Sequence, residues 1–146
     1  MLMSARKRQM GFGLVEVLIA LLIVSIGLLG IVSLQITALK NVGSSMERSQ
    51  AVIQTYSYLE VLRANRPQAV ISGLDVPVMT CDPANLAGSL VEQRKWLTQL
   101  HENLGSTACG QVDCLAGGKC TITVQWDDAR AEGGLEEEQL VTETML

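Results

Sequence analysis

The sequence predicts an α+β protein: one very long N-terminal helix, half membrane-spanning and half periplasmic, carrying a small antiparallel-sheet head and one further helix. Three observations predict it. Residues 17–39 run for 23 positions without a charge, no proline interrupts the chain before Pro67, and KCTITVQW at residues 119–126 alternates polar with apolar residues. About 20 apolar residues suffice to cross a bilayer, proline is the strongest helix breaker, and strict alternation marks a half-buried strand.

The chain has 146 residues, 48% apolar and 18% charged, with a formal net charge of −4. That is one domain's length, and it is too hydrophobic and too weakly charged for a disordered chain. The acidic balance offers no basic surface to a phosphate backbone, which excludes nucleic-acid binding by bulk charge. The composition is uneven, with the apolar run in the first third and Gly, Cys and acids gathered in the last.

The first 11 residues, MLMSARKRQMG, hold Arg6, Lys7 and Arg8 and no acid. A basic flank ahead of an apolar run places the N-terminus in the cytoplasm. A removable secretory signal fits poorly, because its apolar region covers about 7–15 residues before a small-x-small site. This run continues into Ile36, Thr37, Ala38 and Leu39. Glu16 lies near the start of the span, where a carboxylate costs about 2.5–3.5 kcal/mol on insertion scales and marks a functional position. It needs a compensating partner.

The string Gly11, Phe12, Gly13, Leu14, Val15, Glu16, followed by VLIALLIVSIGLLG, resembles the processing and assembly signal of type IV prepilins and the related pseudopilins. The resemblance implies a type IV pilin-like fold. It also implies that a membrane aspartic peptidase, the prepilin peptidase, cuts after Gly11 at the cytoplasmic face and N-methylates Phe12. Glu16 is then expected to meet the N-terminal amine of a neighbouring subunit in the lipid bilayer, neutralising two charges that are expensive alone. Residues 1–11 become a basic leader, 12–34 the membrane-spanning and assembly half of the helix, 35–66 its periplasmic half, and 67–146 a small disulfide-stapled head.

Beyond the span, Leu39, Val42, Met46, Ile53, Tyr56, Leu59 and Leu62 recur at separations of three, four or seven, which marks one apolar stripe on a helix. Arg63 and Arg66 favour the C-terminal end of the helix dipole, and Pro67 stops the helix. A helix over 12–64 would be roughly 80 Å long at 1.5 Å per residue, more than its own head can cover, so its first half requires lipid or similar helices. Gly27, Gly30, Ser25 and Ser33 are small enough for close helix approach. Residues 41–45 (NVGSS) have poor helix propensity, and a bend is expected there.

All four cysteines, Cys81, Cys109, Cys114 and Cys120, lie in the head. A domain this small commonly needs disulfides, and a periplasmic location favours their oxidation over a zinc site. No Cys-x-x-Cys pair is present, so no metal or cofactor is expected. Three pairings are possible; Cys109 with Cys114 and Cys81 with Cys120 is the favoured one. Asp82 and Pro83 read as the cap and first turn of a helix ending near Gly105, with Leu86, Leu90, Leu97, Leu100 and Leu104 on one face, Trp96 bordering it, and His101 at an edge or in solvent. The alternating strand pairs with QLVTETML at the end of the sequence. DDARAEGGLEEE between them reads as a solvated acidic loop, since its spacing does not match the twelve-residue calcium loop.

Farther along, LQITALKNVGSSMERSQAVIQTYSYLEVLRANRP, WLTQL and TITVQWDDAR resemble the PilV-type minor pilins. This implies a low-abundance pilus component that primes assembly with other minor and major pilins at an inner-membrane platform, serving twitching motility and adhesion. It would sit in the inner membrane with its head in the periplasm, and after assembly in the pilus, at or near a tip adhesin. A minor pseudopilin of type II secretion shares the N-terminal logic, and a membrane-anchored periplasmic binding module is a third reading. An enzyme is not expected, since no nucleophile and base stand in a recognisable arrangement; the chain is a substrate.

Overall fold

The structure, a computed structural model, describes residues 13–86 and 90–146. It divides into two compact units that meet after Ala38. The first is the opening stretch of helix α1 (Leu14–Ala64, 51 residues). Its large apolar side chains all face outward. Two hydroxyl groups within it are satisfied locally, Ser25 donating to the Leu21 carbonyl at 2.7 Å and Thr37 to the Ser33 carbonyl at 3.3 Å. A helix in lipid must satisfy its polar groups internally in this way.

The second unit, from Leu39 onward, contains the rest of α1, the short helix α2 (Arg66–Ala69), strand β1 (Val76–Thr80), a 3-10 turn (Pro83–Asn85), helix α3 (Val91–Leu104), and strands β2 (Cys109–Cys114), β3 (Lys119–Trp126) and β4 (Glu138–Met145). The four strands form one antiparallel sheet in the order β1-β2-β3-β4. One sheet face contributes Val76, Val112, Ile122, Val124 and Trp126 to the core, which Tyr58, Leu59 and Leu62 of α1 and Trp96, Leu97, Leu100 and Leu104 of α3 complete. The expected α+β, pilin-like arrangement is present, and β3 and β4 pair as their alternation predicts.

Several expectations are corrected. The expected apolar stripe on α1 is divided between two faces: Leu59 and Leu62 are buried with Ala51, Gln54, Thr55 and Tyr58, while Leu39, Val42, Met46, Ile53 and Tyr56 are exposed. Hydrophobicity alone misleads here because the buried face mixes Ala51, Gln54 and Thr55 with Tyr58, Leu59 and Leu62. Residues 41–45, where a bend is expected, stay helical throughout. Pro67 does not end the helix alone; α1 stops at Ala64, Asn65 leaves helical geometry, and Pro67 sits in the first turn of α2.

Asp82 accepts a hydrogen bond from the Ala84 amide at 2.8 Å, yet it caps only the 3-10 turn, because Leu86 is extended and α3 begins at Val91. Gly105 does follow the end of α3, at φ 101°. Trp96 is a centre of the core, 2% exposed, and not its border. His101 is not free in solvent: its Nε2 lies 2.6 Å from the Cys81 carbonyl and 3.0 Å from the Ala108 carbonyl, both acceptors, so this nitrogen carries the proton.

The disulfide pairing also differs. Cys81 is joined to Cys109, and Cys114 to Cys120. Cys109 and Cys114 are the two ends of β2, which puts them roughly 17 Å apart at about 3.3–3.4 Å per residue and on opposite sheet faces. A disulfide requires Cα atoms within about 7 Å. Cys114 and Cys120 are instead direct cross-strand neighbours, with Cα atoms 4.1 Å apart.

Candidate functional site

Glu16 stands in the first turn of α1. The amides of Glu16 and Val17 both point to the Gly13 carbonyl, at 3.0 and 3.4 Å, so the helix is already formed where the carboxylate projects. A shallow apolar groove of about 330 Å³ runs beside it, lined by Val17, Ala20, Leu21 and Val24. The helix dipole favours an acid at this end by only about 0.3–1 kcal/mol, less than the about 2.5–3.5 kcal/mol cost of placing it in lipid. The dipole cannot make Glu16 comfortable in a membrane; a cation can. Gly11 and Phe12 lie outside the described residues.

The second unit presents its own unoccupied surface. Leu39, Val42, Met46, Ile53 and Tyr56 form an exposed row along α1, and at 100° per residue this row lies on the side opposite Ala51, Tyr58 and Leu62. One face of the helix is committed to the head and the other is free. An exposed apolar strip of this length is characteristic of a surface made for another protein.

The loop between β3 and β4 is pinned to α1 where a solvated acidic loop was expected. Ser44 donates to Asp128 at 2.5 Å, Arg130 pairs with Glu47, and Arg48 pairs with Glu138. The amide of Glu132 also reaches Asn41 at 3.4 Å. Asp128 is buried as a result. Ser44, Glu47, Ala51, Gln54 and Tyr58 follow one another at three- and four-residue steps, a helical face legible in the sequence only when small and polar positions are counted with apolar ones. Among the described residues no group of three His, Cys, Asp or Glu is placed to hold a metal ion.

Residues 6–32 match the prokaryotic N-terminal methylation motif. The matched stretch takes in Gly11, Phe12, Glu16 and most of the uncharged run, and it indicates a type IV pilin-like or pseudopilin protein, processed by prepilin peptidase and assembled with other pilins. No curated protein and no solved structure matches the chain.

Proposed function

We propose that the chain is a minor pilin of type IV pili, of the PilV type, which helps prime pilus assembly with other minor pilins. The observation that carries this reading is the methylation motif over residues 6–32, which overlaps a helix, Leu14–Ala64, long and apolar enough to cross a membrane. The exposed row from Leu39 to Tyr56 supports it, because a plain anchor has no need of an apolar strip beyond the bilayer.

Residues 1–11 serve as the leader and hold Gly11 at the cytoplasmic face. Cleavage after Gly11 exposes the amine of Phe12, which is methylated and stays cationic. Glu16 accepts such an amine from a neighbouring subunit, and the pairing offsets the desolvation of both ions. Because that offset exists only between aligned helices, it also selects the register at which a subunit leaves the lipid. The apolar row on α1 then packs against other subunits, while the head faces outward.

Glu16→Ala in the native host tests the reading. Cleavage and methylation are expected to persist, seen by intact mass as a chain lacking residues 1–11 and carrying a methyl group, while incorporation into surface pili falls sharply. Wild-type pilus numbers and incorporation would overturn the role of Glu16. A deletion that abolishes exoprotein secretion and leaves pili intact would assign a type II pseudopilus instead.

A further inference from the structure

The second unit contains a cavity of about 290 Å³ between α1 and the β3–β4 loop, at the small end of ligand pockets at about 300–1,000 Å³. Its charged lining is Lys40 and Glu47 from α1 with Asp128 and Arg130 from the loop. Two cations and two carboxylates therefore share one small space. Arg130 engages one oxygen of Glu47, but the other, Oε2, is buried without a hydrogen-bond partner. Lys40 makes no ion pair among the described residues.

Such a lining discriminates by chemistry. A bare phosphate that meets Lys40 and Arg130 is repelled by Glu47 and Asp128, and a bare ammonium meets the reverse penalty. A molecule carrying phosphate at one end and a protonated amine at the other satisfies both sets with charge-assisted hydrogen bonds. Lys40 and Glu47 are seven residues apart on one helix, about 10 Å along its axis, and this leaves room for such a zwitterion lengthwise.

The position of Lys40 names the source. It is the first charge after the 23 uncharged residues 17–39, a helical length of about 35 Å against a hydrocarbon core of about 30 Å. With α1 inserted, Lys40 emerges at the headgroup layer, and Leu39 at the cavity rim is the last residue of the apolar run. We propose that this pocket binds the phosphoethanolamine headgroup of a membrane lipid, its phosphate on Lys40 and Arg130 and its ammonium on Glu47 and Asp128. The inference rests on membrane insertion of α1 and is independent of cleavage, methylation and pilus assembly.

The test is native mass spectrometry of the full, uncleaved chain in detergent micelles, titrated separately with phosphatidylethanolamine, phosphatidylcholine, phosphatidylglycerol and soluble phosphoethanolamine. Phosphatidylethanolamine is expected to be retained about tenfold more than phosphatidylcholine, whose quaternary nitrogen has no N–H to donate, and more than phosphatidylglycerol, which has no ammonium. Glu47→Gln should erase that preference and Lys40→Ala should lower retention of all three lipids, which share the phosphate, with both disulfides intact by mass as the check on folding. Should Glu47→Gln lose its fold, exposed Lys40 still decides the matter through Lys40→Ala. Equal retention of the three lipids, or overall lipid retention unchanged by Lys40→Ala, would overturn the proposal. Retention of soluble phosphoethanolamine without the lipid would overturn the membrane source. The readout does not require pili, so its failure is separate from failure of the Glu16 experiment.

Discussion

The indole N–H of Trp96 on α3 donates to the backbone carbonyl of Gln54 on α1 at 3.1 Å, so the two helices are joined by a hydrogen bond inside the core. The same ring lies on Tyr58, with centroids 4.6 Å apart. Burial, followed by the nearby carboxylates Asp75 and Glu92, pushes the Tyr58 hydroxyl well above the ordinary tyrosine range. That hydroxyl donates to the Leu74 carbonyl at 2.7 Å and remains protonated.

Trp96→Phe keeps much of the apolar contact and deletes the donor. It should destabilise the head by about 1–2 kcal/mol, the cost of a lost buried hydrogen bond with some lost packing. Gly110→Ala tests the same spot from the sheet, because a Cβ there would lie 2.6 Å from the Trp96 ring. Overpacking of that kind costs about 1–3 kcal/mol. Urea unfolding followed by tryptophan fluorescence measures both, and unchanged midpoints would contradict the packing described.

The two disulfides should contribute unequally. Cys81–Cys109 spans 28 residues and Cys114–Cys120 spans 6, and the chain-entropy relation makes the longer one worth about 1.4 kcal/mol more. Paired Cys→Ser variants compared by urea denaturation give the difference. A larger loss from the Cys114–Cys120 pair would show that hairpin strain or packing outweighs chain entropy.

Asp75 gives a pH prediction. Burial, with a smaller push from Asp113, raises its carboxyl above the ordinary range, against the opposing pull of hydrogen bonds from Ser72 and the Cys114 amide. Its Oδ1 is buried without a partner. Because the folded-state pKa exceeds the unfolded value of about 3.9, folding disfavours the ionised form. Stability therefore falls as pH rises from the unfolded pKa and levels off above the folded one. Asp75→Asn should gain on the order of 1 kcal/mol at neutral pH and lose that advantage below about pH 3.9. An equal gain at acidic and neutral pH would refute the electrostatic origin.

The two faces of α1 predict opposite phenotypes. Met46→Lys and Ile53→Lys alter exposed positions and should shift head stability by no more than about 0.5 kcal/mol, while lowering incorporation into pili. Ala51→Leu alters a fully buried position and should destabilise the head by about 1–3 kcal/mol through overpacking. Thermal unfolding of the purified variants, set beside pilus incorporation in the host, separates the two effects.

The long helix and the β3–β4 pair were legible in the sequence because each carries a period that no tertiary contact needs to supply. β1 and β2 were not. VPVMT contains a proline, which an edge strand tolerates, and CGQVDC reads as turn material, although Gly110 is small only because Trp96 stands over it. Once β2 is missed, the cysteine pairing is lost with it, since register and not sequence distance brings Cys114 beside Cys120. The loop clamp was hidden for a different reason: Ser44 and Asp128 are 84 residues apart, and no local pattern links them.

Cys109 opens β2 and Cys114 closes it, and each is tethered to a different neighbour. An interior strand of the sheet is thus moored at both ends by bonds that only an oxidising compartment can make. Where thiols stay reduced, both moorings are missing at once, so the redox state of the surroundings, and not synthesis, sets the moment at which the head stiffens.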